Sequence, residues 1–325
     1  MRHVWIMLAL AACVGPQDDP SQVHDLRVIS ASFSPPEIMA PSCAGLIGGA
    51  LDGGMPNLGA FISFAAPVDM KWLVLDPQQR DINWDLRACT SQGDLECNDD
   101  GGYVPLASGV SKPGEIRLQS ALALQTLTGS LFDGGLPLIQ GVIEADAFRG
   151  FGGIRVPVVM HVYAGTEEVF AQKLMVYNCK LFDEQKANVL PVIPGVTYQG
   201  KDWPESTDGG PTMRIGLKDA TELVMAPTDF SALEEDYVVP SVTLKPVNLK
   251  ESWKFSWHTS LGRFSPTTSG GTDFTGMLAK PWSTWLPRAD GGVAGLTEQD
   301  VDFWIVVRDG RGGESWITRK AHFVP

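Results

Sequence analysis

Residues 252–259 read SWKFSWHT. Large aromatic side chains fall on every second position, a period of two, which belongs to an extended strand and not to a helix. The spacing predicts that Trp253, Phe255 and Trp257 face a core while Lys254, Ser256 and His258 face outward. The same rhythm recurs downstream. In VDFWIVV, Val301, Phe303, Ile305 and Val307 share one face, and SWITRKAHF closes the chain with Ile317 and Phe323 inward. Upstream, Val68, Met70, Trp72 and Val74 alternate with Asp69, Lys71 and Leu73, and Leu26–Phe33 forms a β-rich run that stops at Pro35-Pro36. Ile154–Tyr163 and Val169–Tyr177 are apolar runs split by Ala164–Glu168, a hairpin with a glycine in its loop. Residues 115–131 fit either a helix or a strand. Many short strands between turn signals predict an all-β chain of two sandwich domains. At residues 178–195, NCKLFDEQKANVLPVIPG turns polar and then opens a new β run, which places the domains at 24–185 and 186–325.

The second half carries a resemblance. ESWKFSWHTSLGRFS, WSTWLP and VDFWIVVRDGRGG together resemble bacterial immunoglobulin-like domains of surface lipoproteins. The resemblance implies a buried Trp257, a corner at Trp285-Leu286-Pro287 and a hairpin turn at Asp309–Gly313. The first half, from HDLRVISASFSPPEI, is similar to the N-terminal part of large myxobacterial-type lipoproteins. These motifs are structural, and a fold does not specify a function.

The N-terminus suggests an address. Met1-Arg2-His3 is basic, and Val4–Ala12 is an apolar stretch too short for a bilayer but suited to a signal-peptide core. Leu10-Ala11-Ala12-Cys13 resembles the bacterial lipobox. That resemblance implies cleavage after residue 12, lipid on Cys13 as the membrane anchor, and outer-membrane sorting, because Val14 and not Asp follows the cysteine. Residues 13–23, with two prolines and two aspartates, are expected to be a flexible tether. An ordinary secretory signal is the alternative.

The chain is acidic, with formal charge −13 over 325 residues, and removing residues 1–12 takes away one further arginine. Such a surface repels phosphate backbones, so nucleic acid is not an expected partner. Cys43, Cys89, Cys97 and Cys179 form an even set, read as two disulfides in an oxidising compartment. Four cysteines allow three connectivities. Cys89–Cys97 is favoured because the two flank a short polar loop, leaving Cys43 for Cys179.

No G-x-S-x-G, S-x-x-K, H-E-x-x-H or P-loop motif occurs, and the histidines at 24, 161, 258 and 322 are far apart in sequence. His161 reads as a satisfied strand histidine and His258 as a surface residue. Asp-Gly-Gly begins at Asp52, Asp100, Asp133, Asp208 and Asp290, each read as a turn. Asp94, Glu96, Asn98, Asp99 and Asp100 are the densest calcium candidate but lack the ordered loop motif, and no metal or other cofactor is expected. The run LEEDY, residues 233–237, reads as a solvated loop. Trp203 and Trp282 lie beside prolines and are the candidates for stacking on a ligand. The expectation is a non-catalytic envelope lipoprotein that binds an envelope protein or a glycan, or plays a structural part. A carbohydrate-binding module using the tryptophans and an envelope hydrolase built on distant carboxylates are the alternatives.

Overall fold

The computed structural model describes residues 19–43, 68–97, 103–120, 138–147, 152–217, 222–272, 277–288 and 295–325. Cys13 and the turns at Asp52, Asp100, Asp133 and Asp290 lie outside them, as do Asn98 and Asp99 of the calcium candidate. Among the described residues the chain is all-β apart from one helix and a short 3₁₀ turn.

The first half holds β1 (Arg27–Ser34), β2 (Glu37–Ala40), β3 (Val68–Leu75), β4 (Ile82–Cys89), β5 (Tyr103–Ser111), β6 (Gly114–Ser120), β7 (Ile154–Ala164) and β8 (Glu167–Cys179). One sheet has the order β1-β3-β6 and the other β2-β8-β7-β4-β5. Alternation does the work expected of it: Val68, Met70, Trp72 and Val74 are all fully buried between the sheets. Residues 115–120 are strand. The hairpin turn is tighter than the apolar runs suggest, because β7 and β8 remain paired as far as Ala164 and Glu167. Gly165 makes the tight turn with a φ of 63°. An α-helix, α1 (Leu138–Ala145), seats Leu138, Ile139, Val142 and Ile143 on the same core. Disulfides join Cys43 to Cys179 and Cys89 to Cys97.

The second half holds β9 (Val196–Tyr198), β10 (Lys201–Trp203), β11 (Met213–Gly216), β12 (Leu223–Pro227), β13 (Asp236–Pro240), β14 (Pro246–Lys250), β15 (Lys254–Thr259), β16 (Arg263–Ser265), β17 (Thr268–Gly270), β18 (Ser283–Leu286), β19 (Gln299–Arg308) and β20 (Glu314–Val324). Two five-stranded sheets, β10-β9-β12-β18-β16 and β11-β20-β19-β15-β17, enclose its core, and β13-β14 forms a separate ribbon. Trp253, Phe255, Trp257, Val301, Phe303, Ile305, Val307 and Phe323 are buried, and Ile317 is half-buried against them. The aromatic rings meet edge to face: Trp285 lies 5.1 Å from Phe303 and 5.4 Å from Phe323.

The two cores touch through Val23, Ile29, Leu73, Leu75 and Val306. Beside this apolar contact lies an ionic joint. Glu314 is buried and accepts from Ser30 Oγ at 2.7 Å and from Arg308 at 2.8 Å, and Lys173 Nζ lies 3.1 Å away. Arg311 reaches Glu37 at 3.5 Å and Glu235 and Glu251 at 3.4 Å each, and lies over the Tyr237 ring at 4.4 Å. Asn188 donates to Asp309 at 2.8 Å and, from its backbone, to Glu37 at 2.7 Å. LEEDY is therefore not a free solvated loop. Glu234 accepts from the Trp253 backbone at 3.0 Å, Glu235 pairs with Arg311, and Asp236 begins β13.

The expected tether is also shorter than its composition suggests. The Ser21 carbonyl accepts from Thr259 N at 2.8 Å and Val23 N donates to Thr259 O at 2.9 Å. Ser21 Oγ accepts from Phe264 N at 2.8 Å, and Ser21 and Val23 are both buried. Residues 19–23 are thus docked along the end of β15, and the polar composition read as flexibility supplies backbone and hydroxyl hydrogen bonds instead.

Candidate functional site

The groove beside Trp282 is the candidate site. Lys254 opens β15, and Thr268, Ser269 and Gly270 of β17 pair with its first three residues. The chain returns along this edge: Gly270 N donates to Lys280 O at 2.9 Å and Ala279 N donates to Gly271 O at 2.8 Å. These two bonds set Lys280 and Trp282 beside β17. Glycine is required at the crossing. Gly270 has φ 69°, and a Cβ there would lie 2.6 Å from the Trp253 carbonyl oxygen. Gly271 has φ 76° and abuts the Lys254 stem in the same way. The floor is tied to the core by Trp257 Nε1, which donates to the buried Ser269 hydroxyl at 2.7 Å.

The resulting cavity is about 520 Å³ and is lined by Lys254, Lys280, Trp282 and the hydroxyl residues Thr268, Ser269 and Thr272. Trp282 is half-buried, and the Lys280 ammonium sits 5.0 Å from its ring centroid. That cation–π contact is of the exposed kind, about 0.5–1 kcal/mol, so a ligand can displace it. Among the described residues no carboxylate pairs with Lys254 or Lys280. An aromatic face, hydroxyls and mobile ammonium groups can stack on a sugar ring and hydrogen-bond its substituents.

Trp203 does not belong to any such surface. It is 2% exposed, packed edge to face on Phe303 at 5.2 Å, with its carbonyl accepting from Arg319 Nε at 3.1 Å. Its place on β10 turns the ring inward, and the neighbouring Pro204 signals only the end of the strand. The sequence marks Lys254 only as an outward residue and gives no sign of Lys280, because their meeting depends on the Gly270–Gly271 crossing.

The histidines have other work. His161 Nδ1 lies 2.8 Å from Asp85 Oδ2 and Nε2 lies 2.7 Å from Glu168 Oε1, with the ring stacked on Phe170 at 4.3 Å. His258 points away from the aromatic core but is not an open surface residue. Its Nδ1–H donates to the Pro20 carbonyl at 3.2 Å, beneath the docked N-terminal segment, and burial lowers its pKa to about 4. Among the described residues no group of three or more His, Cys, Asp or Glu could hold a metal ion. Nor is any helix there long and apolar enough to cross a membrane.

A second concavity, about 440 Å³, opens at the joint between the two halves, lined by Glu37, Arg155, Asn178, Lys186, Tyr237 and Arg311 among others. Its central cation, Arg311, is already committed to the three carboxylates of the joint.

No family model matches the sequence, and no curated protein matches it. Among solved structures the chain is similar to dimeric latent PorU from Porphyromonas gingivalis, at 10% identity over 93% of this chain and 24% of that one, TM-score 0.19. It is similar to a bacterial ice-binding adhesin concerned with host cell surface retention, at 9% identity over 93% of this chain and 65% of that one, TM-score 0.19. It is also similar to the Bacteroides ovatus mixed-linkage glucan protein SGBP-B, solved with a heptasaccharide, at 10% identity over 80% of this chain and 64% of that one, TM-score 0.15. The chain spans about a quarter of the first and under two thirds of the others. At these scores the likenesses carry no argument about activity or ligand.

Proposed function

We propose that the protein is a non-catalytic binding module of the cell envelope, anchored in the outer membrane by lipid on Cys13, and that it captures a glycan in the Trp282 groove. The observation that carries this reading is the half-buried Trp282 face in a groove lined by hydroxyls and ammonium groups, built on the edge of a rigid sheet. The docked N-terminal segment supports it. If Cys13 carries the lipid, six residues of sequence separate it from the docked segment, a span of at most about 20 Å. The docked segment meets the body at the Thr259 end of β15. The groove lies at the Lys254 end, about 17 Å further along the strand, a placement that leaves it open to ligand.

The test has two arms. Cys13→Ser should release the protein from membranes or leave its precursor uncut, and a mutant processed and membrane-bound as before contradicts the anchor. The soluble domain pair should bind on a glycan array, and Trp282→Ala should erase the signal. Equal binding by Trp282→Ala overturns the groove.

A further inference from the structure

The charge of the groove deepens this reading, and the inference rests on it. The chain as a whole carries formal charge −13. Yet the ionisable side chains among the groove's described lining residues are two lysines, Lys254 and Lys280, and no carboxylate. Among the described lysines, Lys71, Lys112, Lys173 and Lys320 each have a carboxylate within 4 Å, and Lys254 and Lys280 do not. Lys280 instead rests on the Trp282 ring, and the stem of Lys254 lies against Gly271. Two lysines lining one groove with a tryptophan, without a neutralising acid among the described residues, suit a sugar with a negative substituent.

We propose that the groove selects acidic polysaccharide, a glycan bearing carboxylates on its rings, over neutral glycan. The ring's apolar face stacks on Trp282, the Thr268 and Thr272 hydroxyls offer hydrogen bonds to its hydroxyls, and its carboxylate draws Lys280 off the tryptophan to sit between the two ammonium groups. The net negative charge of the chain disfavours polyanions away from its lysines.

Affinity electrophoresis of the soluble two-domain protein in gels containing polygalacturonate, its fully methyl-esterified neutral form, or mixed-linkage glucan tests this. Polygalacturonate should retard the wild type, and the ester should do so several-fold less. The double variant Lys254→Ala/Lys280→Ala should weaken polygalacturonate binding by about three- to tenfold and ester binding by less, narrowing the preference, since two part-exposed ion pairs to the carboxylates are lost. Raising salt should mimic the double variant. If the ester or the neutral glucan binds as tightly as polygalacturonate and Trp282→Ala abolishes it, the glycan reading stands and the preference for acid fails. If no polysaccharide is retained, both fail. Co-sedimentation with phosphatidylglycerol vesicles, lost in Trp282→Ala without retention by any polysaccharide, would assign the groove to lipid headgroups and overturn the proposal.

Discussion

The Trp282 groove and the cleft at the joint are similar in size and opposite in construction. In the cleft, the central cation is matched within the protein: Arg311 lies among Glu37, Glu235 and Glu251, and Asn188 bridges Glu37 to Asp309. Such a set is costly to break because each partner would be left buried and unpaired. In the groove, Lys254 and Lys280 have no acid partner among the described residues, and a displaceable ammonium group lies over the aromatic face. The comparison separates charges that hold the fold together from charges left for a ligand. Loss of a cleft residue should appear as loss of stability, and loss of a groove residue as loss of binding.

The largest effect expected is at the joint's covalent flank. Cys43–Cys179 closes a loop of 136 residues and Cys89–Cys97 one of 8. In the chain-entropy model the first stabilises by about 5 kcal/mol and the second by about 2–3 kcal/mol. Urea unfolding of Cys43→Ala/Cys179→Ala and Cys89→Ala/Cys97→Ala should show that order, and equal midpoints would break it. Trp257→Ala comes next. It empties a fully buried site and frees the Ser269 hydroxyl under the groove, so about 3–5 kcal/mol should be lost together with groove binding. A stable Trp257→Ala protein that only fails to bind would mean Trp257 is a recognition residue. Arg311→Ala leaves the buried Glu251 and Glu37 without their cation and should lose about 3 kcal/mol, with the groove unaffected.

The smallest effect is a pH dependence. His258 titrates at about 4 in the fold against 6.5 unexposed to it, because burial disfavours the imidazolium. The unfolded chain binds this proton first, so the stability it contributes is full above about pH 6.5 and is lost as pH falls toward 4. Allowing for partial exposure, the loss is on the order of 1–2 kcal/mol. Unfolding midpoints at pH 7 and pH 5 should converge in His258→Gln, and an unchanged slope would contradict the burial.

What the sequence made legible was whatever repeats along a strand. Trp253-Phe255-Trp257 and Val68-Met70-Trp72-Val74 announce their buried faces by alternation alone. Three-residue strands such as β16 and β17 are too short to show a period, and α1 is a brief amphipathic turn with a glycine at its centre. Trp203 was open to two readings because a tryptophan before a proline suits a loop as well as a strand end. The docking of residues 19–23 was illegible for a related reason: hydroxyls and carbonyls that read as a solvated tether are also what a sheet edge can bind. The groove needs the backbone crossing at Gly270–Gly271, a long-range event with no local signature, so of its members only Trp282 could be singled out.

The central claim is that the groove, and not the cleft, holds the ligand. Isothermal titration of a polysaccharide that retards the wild type, against Trp282→Ala and Lys186→Ala, tests it most directly, since Lys186 lines the cleft and is exposed. The account predicts at least tenfold weaker binding for Trp282→Ala, about 1.4 kcal/mol, with its unfolding midpoint unchanged, and wild-type affinity for Lys186→Ala. Full affinity in Trp282→Ala with loss in Lys186→Ala would contradict it and move the site to the cleft.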